Sequence, residues 1–92
     1  MIVTEALVLL QIRRVVEREL ALPKSVATTD RLVADLGLDS LTLTSLAVEL
    51  EDRFQILLSD DAAARIETVG ELVQLVIERA GAAAEARRRV AS

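Results

Sequence analysis

The 92-residue chain has no cysteine, no histidine, no tryptophan and no tyrosine. Without cysteine there can be no disulfide and no thiolate metal site. Without histidine the commonest general base and the imidazole metal ligand are both missing. Catalysis by the chain alone is therefore not expected, and only carboxylates remain to hold a hard cation. Phe54 is the one aromatic residue, so there is no platform for stacking nucleic-acid bases, and the core has to be aliphatic. Acidic residues outnumber basic ones 15 to 11, for a net charge of −4, which argues further against a nucleic-acid partner. No apolar run approaches the length that spans a bilayer. The apolar stretch from Met1 to Leu10 lacks a basic segment before it, and Arg13 and Arg14 follow it. That order suits an amphipathic first helix of a cytoplasmic protein better than a signal peptide.

What is present is 52% hydrophobic residues and 28% charged ones, with only three glycines and one proline. This composition favours a small globular domain built from helices. A first helix is expected over roughly Thr4 to Leu20, with Leu7, Leu10, Val15 and Leu20 among its apolar positions; Val8, Leu9 and Val16 blur the stripe. Pro23 ends it nearby. From Leu22 to Leu38 the chain reads as a long loop anchored by Val26, Leu32, Val33 and Leu36.

Gly37 suits a positive φ or a close approach to another element. Asp39 is placed to cap a helix whose first turn holds Ser40. Leu43, Leu46, Ala47, Leu50 and Phe54 follow at helical spacing. Ser59-Asp60-Asp61 opens a short helix, and Thr68-Val69-Gly70-Glu71 fits a capping box for a last one. Gly81 is expected to end that helix. The fold class that results is all-α, an irregular four-helix bundle with three longer helices, a short third helix and a long first loop. Residues 1–80 form the domain, and residues 81–92, with Arg87, Arg88 and Arg89, a frayed or disordered tail.

The run Asp35-Leu36-Gly37-Leu38-Asp39-Ser40-Leu41 closely resembles the modification site of acyl carrier proteins. The resemblance extends from about Thr4 to Ile77: the motif lies near mid-chain, Phe54 follows about four helical turns after Ser40, and Ile66 with Thr68-Val69 resembles the family's join between its third and last helices. It implies that a phosphopantetheinyl transferase, assisted by magnesium, moves 4'-phosphopantetheine from coenzyme A onto the Ser40 oxygen as a phosphodiester. The arm then supplies the thiol that the chain lacks and holds acyl groups as thioesters. Asp39 would both cap the helix and help to position the metal during transfer. Leu41 and, more weakly, Val48 would be apolar docking contacts, with Glu49, Glu51 and Asp52 meeting basic patches on partners. Those partners would be the transferase and an acyl- or aminoacyl-loading ligase, ketosynthase or acyltransferase, serving a monomeric carrier that is not itself an enzyme.

The chain also departs from the pattern. Leu41-Thr42-Leu43-Thr44-Ser45 is neutral where housekeeping fatty-acid carriers are acidic, so long-range attraction to basic partners is weaker. A specialised stand-alone carrier for fatty-acid, polyketide or related biosynthesis is the expectation. A discrete aminoacyl or peptidyl carrier is an alternative, although Gly37-Leu38-Asp39-Ser40 lacks the Gly-Gly-x-Ser signature of peptidyl carriers. The other is a helical interaction module without a prosthetic group.

Overall fold

The computed structural model describes residues 2–21 and 25–91; Met1, Ser92 and the segment around Pro23, where the first helix was expected to stop, lie outside the described residues. Four helices occur among the described residues: α1 (Glu5–Leu20), α2 (Ser40–Phe54), α3 (Asp60–Ala64) and α4 (Val69–Ala91). No described helix is long and apolar enough to cross a membrane.

Each helix start is set by a polar side chain that takes up an otherwise orphan amide. Thr4 Oγ1 accepts from Leu7 N at 3.2 Å, Asp39 Oδ1 from Thr42 N at 2.8 Å and Ser59 Oγ from Ala62 N at 3.2 Å. At α4 the expected capping box is reciprocal: Glu71 N donates to Thr68 Oγ1 at 3.2 Å, and Thr68 N donates to Glu71 Oε1 at 3.0 Å. These amide and hydroxyl bonds from Thr68 hold the Glu71 carboxyl below its usual range. Helices α1 and α2 both end on a left-handed residue, Ala21 (φ 55°) and Gln55 (φ 54°).

The core is aliphatic apart from Phe54. Helix α1 contributes Val8, Ile12, Val15 and Val16; α2 contributes Leu46, Leu50 and Phe54; α4 contributes Val69, Leu72, Val73 and Val76. Leu32, Leu36 and Leu38 of the long loop and Ile56 after α2 complete it.

The stripe on α1 differs from the expected one. Leu7 is exposed, whereas Val8 and Val16 are fully buried. Positions 8, 12, 15 and 16 follow the i, i+4, i+7, i+8 spacing of a single helix face. Leu7 lies seven residues before Arg14 and eleven before Arg18, on the solvent side with them.

The long loop is pinned to the start of α4. Arg31 and Thr68 form an antiparallel bridge, with Leu32 N donating to Glu67 O and Val69 N to Asp30 O, both at 2.9 Å. Gly70 N reaches Thr28 O at 2.9 Å, and a Cβ on Gly70 would stand 3.1 Å from that oxygen. The approach is therefore one that a side chain would crowd. Of the expected loop anchors, Leu32 and Leu36 are buried and Val26 is half-buried, but Val33 is 61% exposed. The loop turns back on itself between Arg31 and Leu36, which carries Val33 outward.

The expected break at Gly81 is absent, and α4 continues as helix to Ala91. A lone glycine costs a helix only about 1 kcal/mol. The residues after it, mostly alanine and arginine, are strong helix formers, and the arginines complement the dipole at the C-terminal end. The frayed tail of residues 81–92 is thus, through Ala91, the last turns of α4. Arg87 Nη2 also donates to the carbonyl of Gln55 at 3.2 Å, tying this extension to the end of α2.

Candidate functional site

The residues before Ser40 are fixed by burial and hydrogen bonding together. Leu36 and Leu38 are buried, and between them Gly37 adopts φ +71°. A glycine reaches this left-handed conformation without the Cβ penalty that other residues meet. Asp35 Oδ2 accepts from Arg31 N at 2.6 Å, Leu36 N donates to Arg31 O at 3.0 Å, and Leu38 N donates to Leu32 O at 3.1 Å. The turn therefore delivers the chain to α2 on a rigid approach.

Asp39 then caps α2 with extended backbone (φ −95°, ψ −179°). Its Oδ1 accepts from both the amide and the hydroxyl of Thr42, each at 2.8 Å. The Thr42 amide, then the Thr42 hydroxyl, hold the Asp39 carboxyl below its usual range. Near neutral pH it is an anion at the positive end of the helix.

Ser40 is the first residue of α2 and is exposed. Its carbonyl accepts from Thr44 Oγ1 at 2.8 Å, and among the described residues no hydrogen bond engages its hydroxyl. An outward hydroxyl at a helix N-terminus suits a phosphate ester, because first-turn amides and the dipole favour negative charge there.

The other expected site residues divide among three sides of α2. Leu41 is 76% exposed and Val48 51%, seven residues apart on one outward strip, with exposed Asp52 four residues further along it. Glu49 lies to one flank and pairs with Arg18 of α1 at 2.5 Å, an interaction that raises the Arg18 pKa. Glu51 lies to the opposite flank, where Oε2 accepts from the Leu58 amide at 3.0 Å. Two of the three acidic residues expected to face partners are thus engaged within the molecule.

Ser40 shares its side of α2 with Ala47 and Glu51, at i, i+7 and i+11. Beside that side lies an apolar cavity of about 260 Å³ between α2, α3 and the long loop. Leu43, Leu46 and Ala47 line it from α2; Leu58, Ala63, Ile66 and Leu72 from beyond α2; and Arg31, Leu32, Val33, Ala34 and Glu67 complete the wall. Leu46, Leu58, Ile66 and Leu72 are legible in the sequence as apolar positions. The contributions of Arg31, Ala34 and Glu67 depend on the bridge between loop and α4, which leaves no mark in local periodicity.

The sequence matches the family model described as "Phosphopantetheine attachment site" over residues 10–76. It is 41% identical over 76 residues to an acyl carrier protein of Phenylobacterium zucineum, covering 82% of this chain and 96% of that protein. The solution structure of the acetyl actinorhodin acyl carrier protein from Streptomyces coelicolor superposes with a TM-score of 0.65 at 28% identity, over 82% of this chain and 92% of that one. An acyl carrier protein from Thermotoga maritima shares the fold, with a TM-score of 0.72 at 20% identity over 82% and 88% of the two chains.

Proposed function

We propose that this chain, which belongs to the phosphopantetheine attachment-site family and is an acyl carrier protein, bears its 4'-phosphopantetheine on Ser40 and seats aliphatic cargo in the cavity beside α2. The observation that carries this reading is the exposed, unengaged Ser40 hydroxyl, set directly after a capping aspartate at the head of the side of α2 that faces the cavity. When attached, the arm supplies the thiol that holds an acyl group as a thioester. The chain's own residues do the remaining work. Ser40 Oγ provides the point of attachment, and the α2 N-terminus favours the phosphodiester charge. Asp39 keeps the first turn formed, and as a fixed anion beside Ser40 it is suited to draw the magnesium ion that accompanies transfer.

The mostly apolar wall of the cavity favours a hydrocarbon acyl chain over an aminoacyl group, whose ammonium would be desolvated against Leu43, Leu46, Leu58, Ile66 and Leu72. The chemical steps fall to enzymes that visit the carrier: a phosphopantetheinyl transferase, a loading ligase or acyltransferase, and a ketosynthase. Leu41 and Val48 are the docking contacts, with Asp52 at the end of their strip. Because Leu41 to Ser45 is uncharged and Glu49 is already paired with Arg18, attraction to basic partner surfaces is weak. A dedicated partner set suits such a face better than the general fatty-acid cycle. Equal charging and elongation by standard fatty-acid synthase enzymes on this protein and on a housekeeping carrier would refute that specialisation.

Intact mass after incubation with coenzyme A, magnesium and a broad-specificity phosphopantetheinyl transferase tests the attachment. The parent protein is expected to gain one phosphopantetheine, and Ser40→Ala none. The substitution should leave the fold intact, since a change at an exposed first-turn position alters stability by about 1 kcal/mol at most. Equal mass gain on Ser40→Ala, or no gain on folded parent that is not already modified, would overturn the assignment.

A further inference from the structure

The segment between α2 and α3, residues 55–59, is anchored by the buried Ile56 and by hydrogen bonds to the backbone and side chain of Glu51. The Glu51 carbonyl accepts from the amides of Gln55 and Ile56, the latter at 3.1 Å. Its carboxylate then accepts from the amide of Leu58 at 3.0 Å. Leu58 is half-buried and forms part of the cavity wall. Helix α3, which follows, has five residues, none of them buried, so little packing of its own fixes where it sits. Arg87 braces the same segment from outside through the Gln55 carbonyl, and it belongs to the part of α4 beyond the family match at residues 10–76. Glu51 also lies on the Ser40 side of α2, eleven residues on, or about 16 Å along the helix at 1.5 Å per residue.

We infer that Glu51 is a positioning residue that determines cargo specificity: by fixing Leu58 across the cavity it sets the length of acyl chain the carrier encloses. This rests on the reading that Ser40 bears the arm and that the cavity receives the chain. A carboxylate accepting from a part-buried amide makes a charge-assisted bond, and leaving that amide unpaired is unfavourable. With Glu51 in place the Leu58 wall stays closed, and a chain too long for the cavity remains in solvent. Without it, Leu58 and α3 can move outward. Removing the bond is expected to raise the open-to-closed ratio of the wall on the order of tenfold. The alternative role for this acid, a surface charge that meets basic partners, predicts a change in enzyme kinetics and none in chain length.

The test uses the full chain, modified on Ser40 and loaded with straight-chain acyl groups of increasing length. Cleavage of the thioester by hydroxylamine and the rise in Tm over the unacylated form of the same variant are the two readouts, because an enclosed chain is both shielded and stabilising. The parent is expected to protect chains up to a defined length and then lose protection abruptly. In Glu51→Ala that break should move to longer chains, with Glu51→Gln intermediate and Arg87→Ala shifting it slightly in the same direction. If Glu51→Ala does not fold, Glu51→Gln alone decides. An unmoved break, or a parent that loads on Ser40 yet protects no chain, overturns the inference while leaving the carrier reading intact. Slower loading of Glu51→Gln with an unmoved break overturns it in favour of the docking role. Failure of Ser40 to accept the arm at all is the separate result that refutes the carrier reading, and the inference falls with it.

Discussion

Leu50 and Leu46 are both on the inner face of α2, yet truncating them to alanine should have different consequences. Leu50 is fully buried and lines no part of the cavity, so Leu50→Ala opens a new void in close-packed core. Leu46 is 1% exposed but forms part of the cavity wall, so one side of it already lacks packing partners. Buried Leu→Ala changes cost about 2–5 kcal/mol, rising with the volume left empty. Leu50→Ala belongs in the upper part of that range, about 3–5 kcal/mol, and Leu46→Ala in the lower, about 2–3 kcal/mol. A domain of this size has a total stability of roughly 5–14 kcal/mol, so the Leu50 variant loses a substantial share of it. At about 4–8 °C per kcal/mol, a loss of about 3 kcal/mol lowers Tm by roughly 12–24 °C. Urea unfolding followed by far-UV circular dichroism is the appropriate assay, because a chain with a single phenylalanine and no tryptophan gives almost no fluorescence signal. Both variants should still accept the arm on Ser40. A Leu46→Ala that costs about 1 kcal/mol more than Leu50→Ala would refute the reasoning, because it would mean that the cavity side of α2 is tightly packed.

Gly37→Ala should cost about 1–2 kcal/mol through backbone strain alone, since φ is +71° and a Cβ there meets nothing within 4 Å. A chemical-denaturation midpoint equal to the parent's would contradict this. Stability should also fall in acid. Asp39 and Glu71 have folded-state pKa values depressed by their hydrogen bonds to Thr42 and Thr68. Their contribution is fully present above the unfolded values of about 3.9 and 4.3 and is lost as pH falls below these through the lower folded values. Asp39→Asn and Glu71→Gln should each flatten the acid limb of a Tm-against-pH profile, and an unchanged limb in both would show that the caps do not couple to protonation.

The helix starts were legible because each is written in adjacent residues. Asp39 before Ser40, Ser59 before Asp60 and the Thr68–Glu71 pair cap as their chemistry demands. The α2 face was legible too, because its apolar residues alternate with Glu49, Glu51 and Arg53. Helix α1 was harder, since every residue from Ala6 to Leu10 is apolar and periodicity cannot choose among them. The charged residues could have chosen: Arg14 and Arg18 mark the solvent side, which rejects Leu7 and selects Val8 and Ile12. The helix runs on through Gly81 because a single glycine outside any turn lacks the second signal that stops a helix. At the site, Asp39 and the exposure of Leu41 and Val48 follow from helix geometry. The engagement of Glu49 and Glu51 does not, because it depends on where α1 and the segment after α2 come to lie.

On the proposed reading, docking and cargo fall to different residues of one fifteen-residue helix, α2. Its inner side, Leu46, Leu50 and Phe54, fixes the helix in the core. Its outer strip, Leu41, Val48 and Asp52, is exposed and is the face proposed for docking. From α2 the cavity is lined by Leu43, Leu46 and Ala47, and of these Ala47 shares the side of the helix that holds Ser40 and Glu51. The Arg18–Glu49 pair separates the outer strip from α1 and neutralises charge on that flank. Under these proposals partner selection and chain-length selection are expected to change independently, since a substitution on the outer strip leaves the Leu58 wall alone and one at Glu51 leaves the strip alone. The same geometry makes acidity on this helix a poor guide to docking, for the Glu51 carboxylate is bonded to the backbone of Leu58, which lines the cavity.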